Sequence, residues 1–271
     1  MIVDYHLHLR DEHEDIAHES RAIGPFLETA VARGVDEIGF AEHVYYFRQT
    51  SEIWDVPYLS ERCVYDLDDY CEAVLAAKEV GLPVKLGIEV DYVGEKQARL
   101  GEILDGYPFD FRLGSVHWLD GLAVDMIPGI WETMSADEVW SKYVQALCEL
   151  AVGGTVDVAA HPDLPKIFGH RPDPVLLEEL HEQAALTIAA SGLAIEISTA
   201  GLRKPVGELY PDPAFLQAFV RAGVPVTLAS DAHAPDLVGA DFDEAMALAR
   251  SAGCGAVAVF EGRRMSRMEL G

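Results

Sequence analysis

The chain has 271 residues, and half of them are hydrophobic, which is enough for a substantial core in one large domain or two small ones. Its formal charge of −26 disfavours a nucleic-acid backbone or an anionic membrane as a partner. No apolar stretch approaches the ~18 residues that a membrane span needs. An acidic surface neither requires nor forbids a homo-oligomer.

The cysteines and the N-terminus point to a reducing compartment. The cysteines form no CxxC pair, which predicts reduced thiols rather than a disulfide framework. The first residues enter a polar motif at Asp4 and carry no basic, apolar signal sequence. We therefore expect a cytoplasmic protein. The cysteines are Cys63, Cys71, Cys148 and Cys254.

Eight short apolar runs predict buried strands, and helical patterns lie between most of them. In chain order the runs cover residues 2–6, 37–41, 84–89, 111–116, 156–160, 194–198, 226–230 and 256–260. Ser135 and Glu138 form a capping box ahead of one helix. The other predicted helices begin near Pro25, Asp173, Asp212 and Asp241, and each is followed by a glycine, at Gly34, Gly192, Gly223 and Gly253.

Alternating strands and helices indicate an α/β fold with a parallel sheet, either closed as a barrel or doubly wound. A doubly wound sheet usually binds a nucleotide through a glycine-rich first turn, but the chain has neither GxGxxG nor GxxxxGK[ST]. The pattern therefore favours a closed barrel formed by a single domain over residues 1–271. The segment 45–66 is the longest irregular insertion and is predicted to be a flap over the site.

Candidate metal ligands follow nearly every predicted strand. Imidazoles and carboxylates are the ligands that zinc, iron and manganese accept. His6 and His8 are two residues apart, so on an extended segment both side chains face the same way. Glu89 ends an apolar run where a carboxylate has little structural reason to be. The candidates at strand ends are His6, His8, His43, Glu89, His117, His161, Asp231 and His233.

A single histidine at a strand end is more often a hydrogen-bonded residue than a metal ligand, but six strand ends that all supply ligands predict a metal cluster. Such a cluster at the C-terminal rim of the strands indicates metal-dependent hydrolysis. His18, His170 and His181 lack this placement, and His181, in the middle of a helix, is expected to face solvent.

The order of these motifs resembles the polymerase-and-histidinol-phosphatase (PHP) superfamily from Asp4 to Glu261. The matching motifs are HxH, EH, a lone glutamate, SVH, AHPD and SDAH. The octapeptide at residues 198–205, STAGLRKP, is similar to the histidinol-phosphate phosphatase branch. The resemblance implies a distorted (β/α)7 barrel with a trinuclear metal centre at the C-terminal rim.

The resemblance also implies how two or three divalent ions, of zinc, iron or manganese, would be held. The first ion would take His6, His8, Glu89 and Asp231, and the second would take Glu89, His117 and His161. The third would use His43, His233 and a histidine shortly after the HxH motif. At the position where the family places that histidine this chain has Glu14, so we expect His13 as the ligand, with Glu14 as its substitute.

The implied reaction is hydrolysis of a phosphate monoester, here L-histidinol phosphate, as a step of histidine biosynthesis. Bound metals neutralise the phosphoryl oxygens and lower the pKa of bound water, so a hydroxide that bridges two ions would attack phosphorus. Glu89 and Asp231 would take part as ligands of those ions. The leaving alkoxide would take a proton from His233, His43 or a bound water. Arg203 is the candidate phosphate clamp, with Lys204 as a second positive charge.

L-Histidinol phosphate carries an ammonium group and an imidazole, so its pocket should offer acids and aromatic residues. The candidates for these contacts are Asp163, Trp118, Tyr45, Tyr46, Trp54 and Asp55. Two other hypotheses remain. The same centre could act on nucleotides or other small monoesters, or the barrel could be a non-catalytic metal-binding module. The intact ligand motifs disfavour the non-catalytic module.

Overall fold

The computed structural model describes residues 1–9, 18–127 and 129–271, and within these residues eleven strands and eight α-helices are formed. The strands are β1 (Val3–Leu7), β2 (Glu37–Phe40), β3 (Val84–Asp91), β4 (Phe111–Ser115), β5 (Trp118–Leu119), β6 (Leu122–Ala123), β7 (Val158–Ala159), β8 (Ala194–Ser198), β9 (Val226–Ala229), β10 (Ala256–Glu261) and β11 (Arg264–Glu269). The helices are α1 (Ile23–Ala32), α2 (Pro57–Ser60), α3 (Leu67–Glu79), α4 (Gln97–Leu104), α5 (Ala136–Val152), α6 (Pro174–Ser191), α7 (Pro213–Arg221) and α8 (Phe242–Ser251).

Seven of the described strands form one parallel sheet in the order β1-β2-β3-β4-β7-β8-β9. The two edges of the sheet meet where the end of β1 pairs with the segment after β9. There the His8 amide donates to the Ala232 carbonyl at 2.8 Å, and the Ala232 amide donates to the His6 carbonyl at 3.1 Å. This pairing closes the sheet into the distorted (β/α)7 barrel that the sequence predicts and brings the C-terminal ends of the strands to one rim.

Three of the five predicted helix starts are confirmed by capping contacts. Ser135 and Glu138 form the complete capping box of α5. The Asp173 carboxylate accepts hydrogen bonds from the first turn of α6, and Asp212 does the same for α7. Asp241 precedes α8 but makes no side-chain cap. None of the helices in the described residues is long and apolar enough to cross a membrane.

The last predicted strand is formed, but it does not belong to the parallel sheet. β10 pairs antiparallel with β11 in a C-terminal hairpin. Phe260 of this hairpin packs edge-on against Tyr5, with ring centroids 6.1 Å apart, and Tyr5 stacks on Phe111 at 5.1 Å. Any Cβ at Gly87 would lie 2.3 Å from the Phe111 ring, so a glycine is required there. The hairpin therefore contributes aromatic packing to the barrel interior instead of an eighth strand.

The segment 45–66, predicted to be an irregular flap, contains 3-10 helical turns and the short helix α2. Its aromatic residues are not all at the surface, since Phe47 and Trp54 are buried. The Trp54 indole donates to the Thr50 hydroxyl at 3.0 Å. The insertion is therefore a packed structure, and its role as a cover over the site stays a prediction.

His181 is buried, which corrects the expectation that it faces solvent. It lies on α6 next to Leu180 and three residues before Ala184, both of which are also buried, so its side chain lies on the apolar face of the helix. Its ring stacks on Phe215 of α7 with centroids 4.1 Å apart and an angle of 5° between the planes. Burial lowers the pKa of His181 to about 4.

This burial should make the stability depend on pH. An unfolded histidine has a pKa of about 6.5, so between pH ~4 and ~6.5 the unfolded chain binds the extra proton at His181. The stabilisation from neutral His181 is therefore complete above pH ~6.5 and is lost as the pH falls toward 4. In His181→Phe this titration is removed, so we expect the Tm difference between pH 7.5 and 5 to be about 2–5 °C smaller than in the wild type.

Scanning calorimetry at both pH values checks this, with exposed His170 replaced by phenylalanine as the control. Equal pH dependence in the wild type and His181→Phe would contradict the assignment.

Candidate metal centre

The eight ligand candidates from the described strand ends converge at the C-terminal rim of the barrel. His6 lies in β1 and Glu89 in β3, while the others follow their strands by one to four residues. His161 and Asp231 have φ angles of 23° and 52°, in the left-handed region that costs non-glycine residues energy. Such strain is common at functional sites, and here it turns both side chains toward the same centre. His13 and Glu14 lie outside the described residues.

Glu89 lies between two groups of imidazoles, and each of its oxygens faces one group. Its Oε2 lies 2.5 Å from His43 Nδ1, 3.5 Å from His6 Nε2 and 3.9 Å from His8 Nε2. Its Oε1 lies 3.5 Å from His117 Nε2 and 3.3 Å from His161 Nε2. A carboxylate that presents one oxygen to each of two groups of ligands has the geometry of a bridge between two ions.

The spacing of the first ligand set fits one ion. Asp231 Oδ1 lies 3.7 Å from His6 Nε2 and 3.3 Å from His8 Nε2. Four ligand atoms arranged as a tetrahedron ~2.1 Å from an ion are about 3.4 Å from one another, which is close to the distances within this set. His6 Nε2 is buried and has no hydrogen-bond partner among the described residues. A buried nitrogen without a partner, aimed at carboxylates just beyond hydrogen-bond reach, fits a cation between them.

A third group is formed by His8, His43 and His233, whose potential ligand atoms all lie within 4.8 Å of one another. The His8 and His233 rings stack with centroids 4.1 Å apart. The structure thus brings together His43 and His233, as the resemblance implies for a third ion. The remaining predicted ligand, His13, falls in the part of the chain that is not described.

Three buried carboxylates hold the metal-facing histidines by their other ring nitrogens. Glu196 bonds His6 Nδ1 at 2.9 Å, Glu42 bonds His8 Nδ1 at 3.0 Å, and Asp91 bonds His117 Nδ1 at 2.7 Å. A carboxylate at Nδ1 keeps the proton there and leaves the Nε2 lone pair free for a metal. Glu42 follows β2, Asp91 lies in β3 and Glu196 lies in β8.

The orienting role of these carboxylates was not predicted from the sequence, although one signal for it is present. Glu196 lies between Ile195 and Ile197 in a fully buried strand, the same kind of environment that singled out Glu89. Its Oε1 also accepts the His161 amide at 2.7 Å, so one side chain orients a ligand and fixes the backbone of another. Asp91 is two residues from Glu89, and therefore on the same face of β3.

His18, which has no strand-end placement, is nonetheless part of the site. Its Nε2 lies 2.7 Å from Glu42 Oε2, so Glu42 is shared between His18 and His8. Tyr65 and Tyr70 pack edge-on against the His18 ring. Burial alone would raise the pKa of Glu42, but the hydrogen bonds from His18 and His8 hold it well below its ordinary value. Glu42 is thus an ionised carboxylate that fixes the orientation of His8.

The electrostatics of the centre suit a cation. Burial opposes ionisation of Glu89 and Asp231, but the facing imidazoles, His43 foremost for Glu89 and His6 foremost for Asp231, lower both pKa values well below normal. Burial likewise opposes protonation of His8, yet hydrogen bonds to Asp231 and Glu42 raise its pKa to about 9. A metal that binds here must displace protons from the imidazoles, so its uptake should release protons.

A cavity of about 440 Å³ opens onto the centre. Arg203 and Lys204 line it, as predicted for phosphate contacts. The Arg203 guanidinium donates to the Ser230 carbonyl and lies 3.5 Å from Asp241, so its position is fixed by neighbouring loops. The other lining residues are His43, Tyr45, Tyr58, Glu89, His117, Trp118, Asp125, Met126, Ala200, Asp231, His233 and Leu237.

Asp163, the acid expected to contact substrate, does not line this cavity. It is completely buried and forms an ion pair with buried Lys166 at 2.8 Å. It also accepts the Asp212 amide at 2.8 Å, next to the start of α7. These contacts give Asp163 a structural role, and its placement does not favour the expected substrate contact. Asp125, which the sequence analysis did not single out, is the acid that reaches the cavity instead.

The bridging position of Glu89 leads to a direct test with Glu89→Gln. An amide cannot supply two anionic oxygens, so we expect the loss of at least one bound ion and a fall in hydrolytic turnover of more than about 100-fold. Loss of even an outer partner of a metal ligand typically lowers metal affinity or activity by about 10–100-fold. Metal content is measured by mass spectrometry after zinc loading and dialysis, and folding by circular dichroism. Exposed Glu79→Gln is the matched control. Full metal content with full turnover would remove Glu89 from the centre.

Comparison with known proteins agrees with this geometry. The model of the PHP domain family matches residues 4–200. A Deinococcus radiodurans protein named probable histidinol-phosphatase is 31% identical over 270 residues, which cover 97% of this chain and 98% of that protein. The fold matches a histidinol phosphate phosphatase from Lactococcus lactis, solved with zinc, L-histidinol and phosphate, with a TM-score of 0.74 at 21% identity over 97% of this chain and 98% of that one. The chain belongs to the PHP domain family, in its histidinol-phosphatase branch.

Proposed function

We propose that this protein hydrolyses L-histidinol phosphate to L-histidinol and phosphate with the help of two or three divalent metal ions. The observation that carries the proposal is Glu89, whose two oxygens face separate groups of imidazoles at a cavity that Arg203 also lines. The names of the related proteins support the choice of substrate. The free thiols of all four cysteines suit a reducing compartment, so a cytoplasmic location is part of the proposal.

The chain provides a ligand set for each ion. His6, His8, Glu89 and Asp231 would hold the first, and Glu89, His117 and His161 the second. His43 and His233 would hold the third, together with His13. Once bound, divalent zinc, iron or manganese neutralises the phosphoryl oxygens and lowers the pKa of coordinated water from 15.7 toward ~7.

Arg203 and Lys204 supply the remaining positive charge for the phosphate dianion. A guanidinium binds two phosphate oxygens at once, and Arg203 is already held by the Ser230 carbonyl, so little side-chain freedom is lost on binding. This preorganisation keeps phosphorus in one position relative to the ligand sets. Binding energy of this kind helps to orient the ester bond for cleavage.

His233 is the proposed donor of the proton to the leaving alkoxide, because it lines the cavity and its side chain is 29% exposed. A ring nitrogen that binds an ion cannot donate a proton at the same time, so His233 serves as ligand or as acid. The number of bound ions separates the two roles. If the loaded protein contains three ions per chain, His233 is a ligand of the third ion. If it contains two, His233 is free to act as the acid.

The first experiment measures phosphate release from L-histidinol phosphate, from nucleoside monophosphates and from sugar phosphates, with metal-loaded protein. We expect kcat/KM for L-histidinol phosphate to exceed the values for the other monoesters by at least about 100-fold, the discrimination that a few specific contacts provide. Faster turnover of a nucleotide would agree with metal-dependent hydrolysis but contradict L-histidinol phosphate as the substrate. No hydrolysis of any monoester by the fully loaded protein would indicate a non-catalytic metal-binding module.

Arg203→Ala tests the phosphate contact separately from metal binding. Loss of charge-assisted hydrogen bonds should lower kcat/KM by about 10–100-fold and weaken inhibition by inorganic phosphate, while the metal content stays unchanged. Steady-state kinetics and metal analysis check this, and Arg264→Ala in the exposed strand β11 is the control. Unchanged kinetics in Arg203→Ala would exclude Arg203 as the clamp.

A further inference from the structure

Three carboxylates line the cavity among the described residues, and only two of them have a role in the centre. Glu89 and Asp231 face imidazoles, as the ligand sets require. The third, Asp125, forms no hydrogen bond or ion pair with any residue that the structure describes, although it lines the cavity. A carboxylate in a substrate cavity without a protein partner is available for a cationic group of the substrate.

The backbone next to Asp125 is held by two hydrogen bonds of the preceding residue, Val124. The Val124 amide donates to the His117 carbonyl at 2.8 Å, and the Val124 carbonyl accepts the Trp131 indole at 2.7 Å. The hairpin of β5 and β6, which begins at Trp118, leads directly into this segment. Asp125 is therefore tied through Val124 to the residue that supplies a ligand for the second ion.

Aromatic faces lie in the same cavity. Trp118, from the β5–β6 hairpin, and Tyr58, from α2 in the insertion, both line the cavity, with ring centroids 5.3 Å apart. The basic residues Arg203 and Lys204 come from the loop after β8. The cavity thus combines a basic loop for an anion with a segment that offers one carboxylate and aromatic faces.

We infer that Asp125 binds the ammonium group of the substrate and so selects phosphate esters of amino alcohols over other monoesters. The inference rests on the proposed function and adds the residue that determines specificity. In L-histidinol phosphate the ammonium lies on the carbon next to the one that carries the ester oxygen. A phosphoryl group at Arg203 and the ligand sets therefore brings the ammonium within a few bonds of the reacting atoms, and the imidazole ring can pack on Trp118 and Tyr58.

The test compares two substrates that differ by the ammonium alone: L-histidinol phosphate and 3-(imidazol-4-yl)propyl phosphate. Asp125→Asn keeps the shape of the side chain and removes its charge. We expect kcat/KM for L-histidinol phosphate to fall by about 10–100-fold, at least ten times more than for the deaminated analogue. The inhibition constant of L-histidinol should rise by at least tenfold, whereas that of inorganic phosphate changes less than twofold.

Two further variants keep the test decisive. Asp125→Glu retains the charge and should keep most of the preference for the ammonium substrate. Asp120→Asn is the matched control, because Asp120 lies in the turn of the β5–β6 hairpin that precedes Asp125 but pairs with Lys142 at the surface, 2.9 Å away. Both substrates should be unaffected by it. Metal content and Tm of each variant are measured alongside the kinetics.

Equal losses on both substrates in Asp125→Asn would overturn the inference, because Asp125 would then act through the centre and not on the ammonium. A wild type without preference for the ammonium substrate over its analogue would overturn it as well. Failure of the wild type to hydrolyse L-histidinol phosphate at all would instead contradict the proposed function, and the inference with it.

Discussion

The centre depends on one buried carboxylate, that of Glu89. An ionised carboxylate in the interior is strongly destabilising unless positive groups surround it. Here imidazoles from four strand ends face its two oxygens, and a pair of divalent ions would complete the compensation. The barrel makes this possible, because the closed rim brings imidazoles from the ends of β1, β2, β4 and β7 within 4 Å of one carboxyl group.

The orienting carboxylates are joined to the ligands through the backbone as well as through side chains. The Glu89 amide donates to the Glu42 carbonyl at 2.9 Å, and the His161 amide donates to Glu196. Glu42 therefore fixes Glu89 by its main chain and His8 by its side chain. Because these bonds lie between strands, ligand positions are set by the sheet before any ion or substrate binds, which lowers the cost of assembling the site.

The strand runs and the ligand candidates could be predicted because both are local signals: an apolar run, followed by a histidine or an acid. What could not be predicted depends on partners far apart in the chain. Glu196 orients His6 across 190 residues, and the direction of β10 is set by its pairing with β11. The burial of His181 was readable from the spacing of Leu180 and Ala184. Asp163 looked like a site residue from its motif, but Lys166 neutralises it within the core.

Reaction and specificity come from different parts of this fold. The ligand sets lie at strand ends, where the sheet holds them rigidly, so the chemistry at phosphorus is fixed by the barrel. The groups that would contact the rest of the substrate, Asp125, Trp118 and Tyr58, lie on the hairpin after β4 and on the insertion after β2. Loops tolerate substitutions and insertions that a barrel strand does not. The same centre can therefore serve different monoesters, and the choice among them lies in the charge and shape of these two segments.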